Sequence, residues 1–303
     1  MLGRRTAIAG AVLAVVLAGG PAVAQDKLKV VVSFSILADV AKNVGGDRVE
    51  VASLVGPNGD AHVYNPTPAD AKKIAEAKVV FVNGLGYEGW LNRLIRSSGT
   101  KAQPVVASTG VKAREKPGPR DSHGHDHGRI DPHAWQSVAN VKVYTANVRN
   151  GLVAADPTGR SVYEANAAAY LGQLEALEKE VRDAVARIPA DRRRVLTSHG
   201  AFGYFQDAYG VQFYAPQGVS TETEPSAKDV ASLIRQIRGQ KISGIFMENV
   251  TDPRLIKRIA DETGAKLGGT LYSDALTDEK GPAPTYIDLI RHNIRTLSAA
   301  LTS

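Results

Sequence analysis

The stretch that most constrains this chain is residues 160–188, RSVYEANAAAYLGQLEALEKEVRDAVARI. Ala, Leu, Glu, Lys, Arg and Gln dominate it, all good helix formers, and only Gly172 interrupts the run. Leu171, Leu174, Leu177, Val181, Val185 and Ile188 recur at three- and four-residue steps, the spacing of one buried stripe. Asp156-Pro157 before it and Pro189 after it are start and stop signals. At ~1.5 Å of rise per residue such a helix is a rod of about 40 Å, longer than a typical globular helix and long enough to join two domains.

What flanks it supports a spine. Before it, apolar runs at 29–37, 49–56, 79–84 and 103–109 alternate with helical stretches, and KVVVSFSIL at 29–37 reads as a strand buried on both faces. After it, runs at 194–198, 211–216, 241–249 and 265–273 alternate with helices in the same way. Alternation of this kind implies parallel strands covered by helices. The expected fold class is α/β, two lobes each with a mostly parallel four-stranded sheet flanked by helices, joined by a single long rigid helix. The expected boundaries are 25–157 for the first lobe, 158–189 for the linking helix and 190–303 for the second lobe.

Residues 1–24 read as a secretory signal peptide, with Arg4-Arg5, an apolar middle and Ala22-Val23-Ala24 before Gln25. The chain contains no cysteine, so disulfides and thiolate ligands are excluded, and no thiol follows the cleavage site to carry a lipid. The expectation is a freely diffusing periplasmic protein without a lipid anchor. Net charge is +6, or +4 once the two leader arginines are set aside, and no basic run interleaves with aromatic residues, which argues against nucleic acid.

Four residues carry candidate chemistry. His62, His133, His199 and Asp274 each fall at or near the carboxyl end of an expected strand, where open parallel sheets bind ligands. Three imidazoles and one carboxylate are a complete donor set for tetrahedral Zn²⁺, whereas Mn²⁺ suits oxygen-richer sites. Asp131, two residues before His133, is placed to orient an imidazole. Residues 112–130 break the periodic pattern with Pro, Gly and charge and read as a mobile loop. Within it His123, His125 and His127 alternate, a tract that can hold zinc weakly as an auxiliary site or take it from a metallochaperone. His292 reads as an ordinary helix residue, and Glu222, Glu224 and Glu248 as either supporting or capping acids.

The segments GPNGDAHVYNPTPAD, DPHAW, TSHGAFGYF, PQGVSTETEPSAKD and LYSDAL…GPAPTYIDLIRHN resemble the cluster A-I solute-binding proteins of zinc and manganese ABC importers, and among them the AztC-type zinc binders. The resemblance implies two α/β lobes on a rigid helix, with His62, His133, His199 and Asp274 on the family's ligand positions. Histidine rather than glutamate at position 199 implies the zinc branch. The implied protein is a monomeric, non-enzymatic zinc carrier that delivers Zn²⁺ as cargo to an inner-membrane ABC permease. A manganese carrier is the alternative. A zinc hydrolase is a distant third, since a fourth protein ligand closes the site and no HExxH pair is present. The stiff helix resists wide hinge closure, so the loop bearing Asp274 is the expected mover on release.

Overall fold

The computed structural model describes residues 26–115, 130–223, 225–240 and 242–302. The expected signal peptide and His123, His125 and His127 lie outside them. The first lobe runs β1 (Leu28–Phe34), α1 (Ser35–Gly45), β2 (Val49–Val55), α2 (Pro68–Glu76), β3 (Val79–Val82), α3 (Leu91–Ser98) and β4 (Val105–Val106). A ribbon of β5 (Arg114–Glu115) and β6 (Ile130–Asp131) follows, then α4 (Val138–Ala155) and the long α5 (Arg160–Ala186). The second lobe runs β7 (Arg194–Leu196), α6 (Gly203–Tyr209), β8 (Gln212–Tyr214), α7 (Ala227–Gln240), β9 (Gly244–Glu248), α8 (Pro253–Thr263), β10 (Leu267–Leu271) and α9 (Tyr286–Thr302).

Two four-stranded sheets form, ordered β2-β1-β3-β4 and β10-β9-β7-β8, and every pairing in them is parallel. All carboxyl ends of a sheet therefore share one edge. Strand β1 lies between β2 and β3 with Val30, Val31 and Val32 buried, as its unbroken apolar run requires.

Two expectations are corrected in detail. The fourth strand, expected over 103–109, pairs only at Val105–Val106. Just beyond, Asn147 Nδ2 donates to the carbonyls of Ala107 and Thr109, and the chain turns off the sheet. The stretch 112–130 is not loop throughout. Its two ends pair antiparallel, Arg114 with Asp131 and Glu115 with Ile130, so β6 runs straight into His133.

Helix α5 is 27 residues long. Asp156 prepares its start, accepting from the Gly159 amide while Arg48 and the Tyr163 hydroxyl bind its carboxylate. Tyr163, Ala167, Tyr170, Leu174, Leu177, Val181 and Val185 face inward, against α1 and α4 on one side and α6 and α9 on the other. Burying one such leucine stabilises by roughly 1.5–3 kcal/mol, so the stripe alone fastens the rod to both lobes. The main core is continuous from β1 through α5 to Leu289 and Leu297 of α9. A separate small core of Leu196, Ile234, Ile237, Ile245, Ile256, Ile259 and Ala260 holds the outer half of the second lobe.

Candidate metal centre

His62 sits in the loop after β2. Asn58 there takes a left-handed backbone (φ 55°), and Asp60 accepts the His62 amide at 2.9 Å. Trp90 Nε1 ties the loop to its lobe through the Ala61 carbonyl at 2.7 Å. The Tyr87 ring stands edge-on to the imidazole at 4.7 Å.

His133 opens a short 3₁₀ turn directly after β6. Asp131 Oδ1 accepts both the His133 amide at 3.0 Å and its Nδ1 at 2.8 Å. Asn83 Nδ2 holds the intervening Pro132 carbonyl at 2.9 Å. His199 follows β7, and Glu248 at the end of the neighbouring β9 supports it. Oε1 of Glu248 accepts the amides of Ser198 (2.7 Å) and His199 (2.9 Å), while Oε2 lies 2.6 Å from Nδ1. Nδ1 of His133 donates to Asp131, and Nδ1 of His199 faces Glu248 in an ion-pair contact, so each imidazole aims Nε2 at the cleft.

Asp274 lies three residues beyond β10, on a loop pinned to the opposite lobe. Trp135 Nε1 and Gln136 Nε2 donate to the Ser273 carbonyl at 2.8 and 2.7 Å. The Leu276 amide donates to Ser35 Oγ, and its carbonyl accepts the Asn58 amide.

The four side chains converge. His62 is 6% exposed, and His133, His199 and Asp274 are fully buried. His62 Nε2 lies 3.2 Å from His133 Nε2, which lies 3.4 Å from His199 Nε2. Asp274 oxygens stand 3.5, 3.5 and 3.1 Å from the Nε2 atoms of His62, His133 and His199. A tetrahedron with ~2.05 Å bonds has edges of ~3.3 Å, and with Oδ2 as the carboxylate donor four of these separations, 3.2, 3.4, 3.5 and 3.1 Å, match that spacing. Apart from the imidazoles, no hydrogen-bond donor reaches either oxygen of Asp274. A buried carboxylate left so, among three imidazole nitrogens, calls for a cation. Among the described residues no other set of metal-capable side chains comes together.

The electrostatics agree. Burial works to lower the His199 pKa, but Glu248 and then Asp274 overcome it and hold it well above the usual histidine value. Burial likewise works to raise Asp274, and His199 and His133 hold it well below the usual carboxylate range. In the metal-free protein a proton stands in part where a cation belongs.

The remaining sequence candidates fall elsewhere. His292 is half-buried on α9 and bonds the Thr270 carbonyl at 3.0 Å. Glu222 lines a cavity of about 330 Å³ beside His62, with Tyr64, Trp90 and Arg93. Glu224 lies outside the described residues. Glu248, left open by the sequence between support and capping, is the His199 partner. The available signal was an acid ending a central strand, where a solvated residue is out of place.

The chain matches the family described as zinc-uptake complex component A, periplasmic, over residues 30–300. It belongs to this family. It is 35% identical to the iron-binding protein YfeA of Yersinia pestis, over 92% of this chain and 88% of that one. It is 32% identical to the manganese ABC transporter substrate-binding lipoprotein PsaA of Streptococcus pneumoniae, over 91% and 90%. Among solved structures it is similar to the periplasmic zinc-binding protein TroA of Treponema pallidum, with a TM-score of 0.83 and 30% identity, over 92% of this chain and all of that one. The family's members are metal-binding substrate-binding proteins of ABC transporters, which act with a membrane permease. The expectation of an unanchored protein is corrected by these relatives. PsaA and others, including MntA of Halalkalibacterium halodurans, are named lipoproteins. The expectation rested on an absent cysteine, and an absence does not outweigh a family in which lipid attachment recurs. An extracytoplasmic place fits the family, and no described helix is long and apolar enough to cross a membrane.

Proposed function

We propose that this protein captures a divalent transition-metal ion, zinc before manganese, with His62, His133 and His199 through Nε2 and Asp274 through its carboxylate. The ion is cargo, held in the interlobe cleft and passed by a monomeric carrier to the permease of an ABC importer. The observation that carries this reading is the spacing of the four donors, four of whose separations match a zinc tetrahedron with Asp274 Oδ2 at one corner. A nitrogen-rich set of this kind favours zinc. It performs no catalysis in this reading, because four protein ligands leave zinc no open position for water.

Manganese stays as a second reading on one observation. Both oxygens of Asp274 face imidazole nitrogens, Oδ1 toward His133 and Oδ2 toward His62 and His199. Two-oxygen binding there would give the higher coordination that manganese accepts. Release would follow from withdrawal of the Asp274 loop, whose bonds to Trp135, Gln136, Ser35 and Asn58 must break in any opening.

The test equilibrates metal-stripped protein with equal Zn²⁺ and Mn²⁺ and counts bound metal. One zinc per chain is expected, and Asp274→Ala should weaken it by at least about a hundredfold, a quarter of the ~12 kcal/mol typical of structural zinc. Preferential manganese would select the second reading. No bound metal would overturn both.

A further inference from the structure

The support of His133 does not end at Asp131. Arg114, on the other strand of the β5–β6 ribbon, brings Nη1 to 3.5 Å from Asp131 Oδ2, the oxygen not bonded to His133. Its Nε donates to Asp207 at 2.8 Å, and its amide to the Tyr204 hydroxyl at 2.9 Å. Both acceptors belong to α6, in the opposite lobe. Gly203, the first residue of α6, covers the pair from above. A Cβ there would stand 2.3 Å from Asp131 Oδ2 and 2.5 Å from Arg114 Nη1. The helix therefore approaches the Arg114–Asp131 pair as closely as backbone alone permits, which is what glycine supplies.

We propose that Arg114 is a positioning residue that ties metal retention to lobe closure, joining the carboxylate that orients His133 to helix α6 of the opposite lobe. The inference deepens the cleft reading above and rests on it. With the lobes together, Asp131 is fixed from two sides, by His133 and by a guanidinium that α6 holds in place. The small parting of the lobes that accompanies withdrawal of the Asp274 loop takes Asp207, Tyr204 and Gly203 away from the ribbon. Arg114 is then free to swing, Asp131 loses its second restraint, and His133 loosens together with the closure. A planar fork suits this task, since it can face one carboxylate with Nη1 and another with Nε, which a lysine point charge cannot.

The experiment mixes zinc-loaded protein with excess chelator and follows release in a stopped-flow instrument. Wild type is compared with Arg114→Gln, Arg114→Lys, Asp207→Asn and the double variant Arg114→Gln/Asp207→Asn. Cobalt(II)-loaded samples report the ligand field through their visible absorption. Release should be about tenfold faster in Arg114→Gln, as for partners of metal-bound histidines. In Asp207→Asn it should be about threefold faster, as expected of one exposed ion pair. The double variant should match Arg114→Gln, since both substitutions cut one chain of contacts. Arg114→Lys should fall between wild type and Arg114→Gln. The cobalt bands should move in Arg114→Gln and stay in Asp207→Asn, where Asp131 keeps its arginine. Asp207 is exposed, so its variant serves even if Arg114→Gln folds poorly. Wild-type release rates in folded Asp207→Asn, or additive effects in the double variant, would overturn the inference alone. A wild-type protein that takes up no zinc would overturn the cleft reading and the inference with it.

Discussion

His133 and His199 face each other across the cleft, one from each lobe, and each turns its Nδ1 to a buried carboxylate. They reach that arrangement by opposite routes. Asp131 is two residues from His133, on a strand that runs into it, so one tight turn makes both donor and support. Glu248 is 49 residues from His199 and meets it because β9 lies beside β7 in the second sheet. The first pairing is a property of a pentapeptide and the second a property of a topology. Their foundations differ too. His133 stands on the main core that β1, α4 and α5 share, whereas Glu248 ends a strand that divides its side chains, Phe246 to the main core and Ile245 to the small outer one. The second half of the centre is therefore the half whose geometry depends on more of the chain being in place.

The sharpest way to probe that difference is to neutralise each carboxylate in turn. Glu248→Gln and Asp131→Asn should each weaken zinc by about 10–100-fold. Glu248→Gln should lie at the upper end, because Glu248 also accepts the Ser198 and His199 amides and so shapes the loop itself. Competition titration against a chelator measures both. Equal losses would mean that the backbone role of Glu248 counts for little.

Acid should act next, and chiefly through the second half. His199 is raised well above the usual value in the metal-free protein, so it carries a proton that the metal must displace. Affinity should then rise with pH by about tenfold per unit for one released proton, and flatten once pH passes the metal-free His199 pKa. The metal-free fold shows the reverse sign. The stability this raised pKa contributes is present below about pH 6.5 and is lost as pH climbs through the folded value. Metal affinity measured from pH 6 to 8 checks the first statement, and melting of stripped protein the second. Affinity flat over that range would contradict protonation of His199.

The smallest effect concerns the first half's door. Thr221 Oγ1 crosses from the second lobe to Asp60 Oδ2 at 2.5 Å, beside the Asp60 oxygen that holds the His62 amide. Thr221→Val keeps the shape and removes the bond. It should cost about 1 kcal/mol of metal binding, roughly fivefold, seen mainly as faster release.

The same contrast explains what the sequence revealed. The spine was legible because α5 carries its stripe and its stops in consecutive residues, and Leu174, Leu177, Val181, Val185 and Ile188 are buried as that stripe requires, with Leu171 half-buried at its edge. The alternation of apolar runs placed both sheets, and Asp131-Pro132-His133 announced its own support. Glu248 was legible only as an acid that either supports or caps, because nothing in MEN says which strand will lie beside it. Nor was the β5–β6 ribbon, since two-residue strands have no period to read. Arg114 was hidden for the same reason, in a stretch whose composition signals only loop. Residues brought together by register, rather than by spacing, become visible once β-pairing is known.

His62, His133, His199 and Asp274 should bind one metal ion together. Zinc-edge anomalous diffraction from crystals of protein loaded with one equivalent tests it most directly. A single peak should lie at about 2.0–2.2 Å from Nε2 of His62, His133 and His199 and from a carboxylate oxygen of Asp274. A peak bound elsewhere, or one that leaves out His199 or Asp274, would contradict it.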